Sequence, residues 1–264
     1  TPATRLQFPG TDLYAAEGAA GLFSYRLALL NTLSSDMGVS ITFLREGDSP
    51  VDRHYIIPAH ERLTVSASDI PELNGSSFGA IVSSRPGLVA ERTMGWAMGG
   101  AMSGAHTTKV ITEPSRTWYL AEGNAGFFDT YVLLVNPDAA PTRVRVDFML
   151  EDGAVVTKRY DVGGLQRLTI RAIDLPELIN QSFGTRVEAD HPILVERSMY
   201  FRNGLPMFTA GHASAGVSAG STNWFLAEGQ TGSFFETFVL LANPNPVAVD
   251  VTVRYLTENG VART

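Results

Sequence analysis

Three glutamates stand in the same short setting at nearly constant spacing. Glu17, Glu122 and Glu228 each lie between an alanine and a glycine, with 105 residues from the first to the second and 106 from the second to the third. Two more glutamates lead arginine pairs, Glu91-Arg92 and Glu196-Arg197, and His106 and His212 lie 106 residues apart. Carboxylates, guanidinium groups and imidazoles in a recurring register could hold a ligand or a metal, or could form fixed ion pairs. The pattern favours fixed pairs, or carboxylates accepting backbone N–H groups at a domain corner, because framework residues recur copy after copy. One histidine per copy with no nearby carboxylate cluster is a poor zinc signature. The acidic turns Glu46-Gly47-Asp48 and Glu151-Asp152-Gly153 lack the oxygen ladder of an EF-hand loop. The chain has no Gly-x-Ser-x-Gly elbow, no P-loop and no His-Glu-x-x-His motif. No catalytic, cofactor-binding or metal-ligating residue is therefore expected, and the chain reads as non-enzymatic.

The elements that must position these groups repeat with them. Trp118-Tyr119-Leu120-Ala121-Glu122-Gly123 is matched by Tyr14-Ala15-Ala16-Glu17-Gly18 and by Trp224-Phe225-Leu226-Ala227-Glu228-Gly229. An apolar run follows each, Tyr25–Asn31, Thr130–Pro137 and Thr237–Pro244, and reads as a strand buried on both faces and stopped at asparagine. Period-two alternation comes next, at Val39, Ile41 and Phe43, at Val144, Val146 and Phe148, and at Val251, Val253 and Tyr255, which predicts one core face and one solvent face. Glu151-Asp152-Gly153 and Glu258-Asn259-Gly260 signal hairpin turns. Asp69-Ile70-Pro71-Glu72-Leu73 and Asp174-Leu175-Pro176-Glu177-Leu178 carry the signature of a helix start and predict one short helical turn each. Two final strands are expected at Gly184–Ala189 and Ile193–Tyr200.

About seven short strands in roughly 100 residues predict an all-β fold of tandem Ig-like β-sandwich repeats of about 105 residues. The expected boundaries are 1–116 for the first repeat with a polar lead, 117–222 for the second, and 223–264 for a partial third holding only its first strands. Between repeats, the tracts Gly99–His106 and Gly211–Gly220 are rich in small residues and read as defined joints between sandwiches.

Bulk properties narrow the partners. The net charge of −7 argues against nucleic acid, no apolar stretch is long enough to insert in a membrane as a helix, and without cysteine there is no disulfide framework. A start at Thr1 without methionine reads as a processed product or an excised piece. Trp118, Tyr119, Trp224 and Phe225 are candidate interaction residues, able to stack on surface glycans if exposed but more often fillers of a core or seam. Val251 and Val253 are candidates for β-strand addition between subunits, on the edge of the incomplete third repeat.

The order Trp118-Tyr119-Leu120-Ala121-Glu122-Gly123, Leu133-Leu134-Val135-Asn136-Pro137, Val195-Glu196-Arg197-Ser198-Met199-Tyr200 resembles a family of uncharacterised tandem repeats in secreted and cell-surface bacterial proteins. The first repeat departs from that pattern at Tyr14, Thr32 and Gly95. The resemblance implies an extracellular or cell-surface location and a modular role. The expected function is that of a structural protein forming a surface array or filament through self-association of like repeats. An adhesion or carbohydrate-binding module and an accessory β-domain of a larger secreted enzyme stand as alternatives.

Overall fold

The computed structural model describes residues 11–98, 101–201, 208–258, 260 and 262–263. The polar lead before Thr11, the glycines at 99 and 100 and the hairpin residue Asn259 lie outside the described residues. Nearly all regular structure is antiparallel β-sheet, and among the described residues no helix is long and apolar enough to cross a membrane.

The first copy contributes β1 (Asp12–Ala15), β2 (Phe23–Asn31), β3 (Met37–Arg45), β4 (Val51–Ile57), β5 (Arg62–Ser66), β6 (Phe78–Ser84), β7 (Leu88–Met98) and β8 (Ala101–Lys109). They form two sheets in the orders β1-β6-β3-β4 and β5-β2-β7-β8. The second copy contributes β9 (Ser115–Leu120), β10 (Phe128–Asn136), β11 (Thr142–Leu150), β12 (Val155–Val162), β13 (Gln166–Arg171), β14 (Phe183–Phe201) and β15 (Gly211–Ala215). Its pairings run β9-β14-β11-β12 and β13-β10-β14-β15, the order of the first copy with β14 standing for β6 and β7 together. Each copy is thus a β-sandwich-like unit with its own apolar cluster, one around Leu27, Ile41, Phe43 and Phe78 and one around Val132, Val146, Phe148 and Val187.

Two expected strands are one. Gly184–Ala189 and Ile193–Tyr200 belong to the continuous β14, whose first half pairs with β11 and β9 and whose second half pairs with β10 and β15. Pro192 sits where the β9 register shifts, between Glu188 and Ile193, so its missing N–H interrupts no ladder. The small-residue tracts are also in part strands, β8 from Ala101 and β15 from Gly211 to Ala215. β8 and β15 pair along β7 and β14, and Gly104 lies so close beneath the Trp96 ring that a Cβ there would meet it at 2.4 Å.

Each Asp-x-Pro-Glu-Leu segment forms two successive 3-10 turns, Ala67–Asp69 then Pro71–Leu73, and Ala172–Asp174 then Pro176–Leu178. Proline takes the first position as expected, but no side chain caps either turn; the buried Leu73 and Leu178 anchor them instead. The alternation on β3 and β11 does point Val39, Ile41, Phe43, Val144, Val146 and Phe148 into the cores. The opposite face is less wet than expected. Thr42 is buried while donating to Asp52 at 2.6 Å, and Asp147 is buried while accepting from Thr157 at 2.6 Å and from Arg145 at 3.0 Å. Cross-strand hydroxyl and carboxylate partners cover one another there.

The asparagine that closes each apolar run is a cross-link. Buried Asn136 donates through Nδ2 to the carbonyls of Ala140 at 2.8 Å and Gly163 at 3.0 Å, and accepts from the Asp138 N–H at 3.1 Å. Asn31 does the same with Ser35, Pro58 and Leu33. One amide side chain thereby satisfies backbone groups from two turns that a strand end would leave unpaired.

The third copy keeps the local devices without the sheet. Trp224 Nε1 donates to Ser221 O at 3.1 Å as Trp118 Nε1 does to Ser115 O, and Asn243 donates to Val247 O at 2.8 Å. Yet the strands expected from Thr237 and from Val251 are not formed. Phe238, Leu241 and Val251 are 74, 59 and 54% exposed, and only the two-residue pair β16 (Tyr255–Leu256) with β17 (Ala262–Arg263) is regular. In the second copy β10 and β11 both pair with β14, and no counterpart of β14 falls within the 264 residues.

Candidate functional site

Burial on both faces, expected for all three apolar runs, is found in β10 alone. Val132 to Asn136 are all buried, whereas β2 alternates and leaves Leu30 39% exposed. The difference arises because the outer face of the second unit lies against the first. Val135 packs on Gly79, where a Cβ would stand 2.5 Å from its Cγ2. Tyr14, Ala16, Leu44 and Ile81 of the first unit join the second unit's apolar cluster.

This face is built in rows across three strands. Arg167, Val135 and Leu194 stand in one register row, Thr169, Leu133 and Glu196 in the next, and Arg171, Tyr131 and Ser198 in the third. Side chains in a row of paired strands share a face. The rows meet the Ala-Glu-Gly corner of the first unit. Glu196 accepts the Glu17 N–H at 2.8 Å and Arg92 Nη1 at 2.5 Å, while Arg92 Nη2 pairs with the Glu17 carboxylate at 2.8 Å. Arg92 Nη1 also donates to Glu17 O at 3.0 Å. Tyr200 Oη donates to the Glu17 carboxylate at 2.9 Å, and Ser198 Oγ donates to it as well. Around this centre, Arg167 donates to the carbonyls of Gly18 and Phe78, and Thr169 donates to Glu46 through its N–H at 2.9 Å and its hydroxyl at 2.6 Å.

Glu17, Arg92 and Glu196 are all essentially inaccessible to solvent. Burial pushes the Glu17 carboxyl up, but Arg92, His106 and the hydroxyls of Ser198 and Tyr200 outweigh it and hold the pKa below 4.5. Burial works against the charged Arg92, yet Glu196 and Glu17 raise its pKa, so it stays a cation. His106 lies 3.6 Å from Glu17 but is depressed by burial against that attraction, so it is neutral near pH 7, where it packs beside Tyr200, and carries charge only at lower pH. An aromatic cluster of Phe23, Trp96, Tyr200 and Phe208 closes the flank, with Trp96 and Tyr200 edge to face at 5.3 Å. Such a centre has no solvent-accessible nucleophile or base; it can hold two units in one geometry.

The second unit carries the same corner without a second carboxylate, with Arg197 buried and Glu122 and His212 partly exposed. Arg197 Nη1 donates to Glu122 O at 2.8 Å, Arg197 Nη2 pairs with the Glu122 carboxylate at 3.0 Å, and His212 Nε2 stands 3.7 Å from it. No second carboxylate approaches Arg197 among the described residues, and His212 is 46% exposed. Glu91, the counterpart of Glu196, is exposed on the first unit, and Glu228 is exposed and apart from these centres.

Among the residues singled out in the sequence, Trp118 is buried, donating from Nε1 to Ile193 O at 2.9 Å, and Tyr119 is half-buried, bridged to Val217. Trp224 and Phe225 are 57 and 95% exposed; Val251 is exposed and Val253 half-buried. These residues are not brought together at one place with the Glu17 centre. Arg167, Thr169, Glu46 and Ser198 were missed, although Arg62 and Arg167, like Thr64 and Thr169, recur at the 105-residue spacing. Among the described residues no group of three His, Asp or Glu is placed to hold a metal ion.

Comparison with protein-family models and with curated proteins gave no match. One solved structure, "Crystal Structure of Thermotoga maritima 1070", is similar with a TM-score of 0.38 and 14% identity, covering 40% of this chain and 96% of that one. A likeness at that level carries no functional argument.

Proposed function

We propose that the chain is part of a non-enzymatic, extracellular structural array of tandem Ig-like sandwiches, in which each repeat is locked to the next in a fixed orientation. The observation that carries this reading is the buried Glu17–Arg92–Glu196 bridge, in which a carboxylate of one unit joins the buried ion pair of its neighbour. A floppy spacer has no use for such a centre, since unpaired buried charge is strongly destabilising and ties folding to the correct joint. The resemblance of the repeated motifs to those of bacterial surface proteins supports the location.

The chain lacks cysteine, so spin labels can be placed at Asp48→Cys and Asp161→Cys, both exposed and one on each unit. A single narrow distance distribution by pulsed electron resonance is expected. A broad one, as two units on a tether would give, overturns the reading.

A further inference from the structure

The face that docks the second unit on the first is present a second time, uncovered. On the first unit the register rows are Arg62, Leu30 and Val89; then Thr64, Ala28 and Glu91; then Ser66, Arg26 and Thr93. At a constant offset of 105 residues these are the rows that dock at the internal joint, with Arg62 for Arg167, Thr64 for Thr169, Glu91 for Glu196 and Thr93 for Ser198. Leu30 and Val89 are 39 and 49% exposed there, whereas their counterparts Val135 and Leu194 are fully buried. The receiving corner is also present twice. Glu122, Gly123, Glu151, Phe183, Gly184 and Arg197 stand where Glu17, Gly18, Glu46, Phe78, Gly79 and Arg92 receive the second unit.

We propose that Glu122, Arg197 and His212 form a carboxylate socket, and that Glu91 of a second copy of this chain fills it, joining copies head to tail by the bridge that Glu196 makes internally. The inference rests on the array reading and names its self-association surfaces. Docking of unlike faces propagates rather than closes, so copies add in one direction. The third copy already marks the seat: Ala242, the counterpart of Val135, lies against Gly184, its Cβ 3.2 Å from where a Cβ on that glycine would stand. It brings no second carboxylate to Arg197 and leaves Leu240 47% and Leu241 59% exposed, so the arriving face displaces this segment and supplies the second acceptor that Glu196 supplies to Arg92.

Sedimentation velocity on the whole chain over about 1 to 100 µM, the range of a single modest interface, reads the outcome. Growth of the weight-average mass with concentration is expected, weakened tenfold or more by Glu91→Lys and equally by Leu30→Glu. Both residues are exposed in the single chain, so circular dichroism and the melting temperature of each variant should match the parent. Gly184→Leu, which fills the socket floor, should weaken growth to the same extent. A parent chain that stays monomeric throughout, or growth that none of these substitutions changes, overturns the inference. A monomeric parent whose spin-label distances remain narrow overturns it alone and leaves the array reading standing.

Discussion

The carboxylate of Glu196 accepts the backbone N–H of Glu17, 179 residues earlier in the chain, at 2.8 Å. The same oxygen takes Arg92 Nη1 at 2.5 Å. The second unit thus adds a second buried acceptor to an ion pair that the first unit forms within itself. Glu17 and Arg92 belong to one sandwich, and without Glu196 both the Glu17 N–H and one guanidinium corner lose an acceptor in the interior.

Glu196→Ala removes that acceptor while leaving Arg92 buried. Arg92 keeps Glu17 as its partner, so the cost is that of buried donors left without an acceptor, about 1 to 3 kcal/mol, and the exposed counterpart offers the control. Glu91→Ala should cost less than about 0.5 kcal/mol, as surface substitutions do. Urea denaturation followed by tryptophan fluorescence checks this. Equal effects at the two positions would show that the cluster does not couple the units.

Asn136→Ala deletes two donated bonds and one accepted bond at a site with no solvent exposure. Three bonds at about 1 kcal/mol each make the loss about 3 kcal/mol in all. Asn243 makes the same bond to Val247 O but in an exposed segment, so Asn243→Ala should be nearly silent. Thermal melts of the two variants separate a sequence motif from its structural use.

Much of this was legible. Period-two alternation placed Val144, Val146 and Phe148 on the core side, because pleat geometry leaves no other option. The adjacency of Glu196 and Arg197 held more than was read from it. Neighbours on a strand face opposite ways, so the glutamate had to leave its own unit if the arginine paired within it. What periodicity could not supply was the partner, since whether an outward face is wet depends on the next unit. Leu133 and Ala28 occupy the same place in the pattern, yet one lies in a covered joint and the other on an open face. The third copy makes the same point from the other side. Its local turns follow from the bonding of Asn243 and Thr237, but its strands needed a neighbour distant in sequence.

Gly79 tests the steric fit of the joint. A Cβ there would sit 2.5 Å from Val135 Cγ2 and 3.0 Å from the carbonyl of Ala15, so Gly79→Ala must push the two units apart. Overpacking of this kind costs about 1 to 3 kcal/mol. Val135→Ala in the same chain makes room, and the pair should show a favourable coupling of about 1 kcal/mol in a double-mutant cycle, as residues in contact do. Additive effects would mean that the glycine matters only for its own strand.

Acid should loosen the joint in two steps. His106 and His212 are both depressed from 6.5, chiefly by burial, so each is neutral in the folded chain over a range where the unfolded chain takes up a proton. Stability present above pH 6.5 is therefore lost as the pH falls below it towards the folded values. Glu17 is held below 4.5, so a second loss of the same sign begins near that pH and deepens as its carboxylate is protonated and its pairing with Arg92 lapses. Melting temperatures measured from pH 8 to pH 3 should fall in both windows. His106→Gln should shrink the upper one to the part that His212 contributes and also shrink the lower one, because glutamine does not titrate and His106 helps hold the Glu17 pKa down. A melting temperature that rises between pH 7 and pH 5 would mean that the imidazoles gain a carboxylate partner on folding. The 3.6 Å approach of His106 to Glu17 would then be a working ion pair rather than a packing contact.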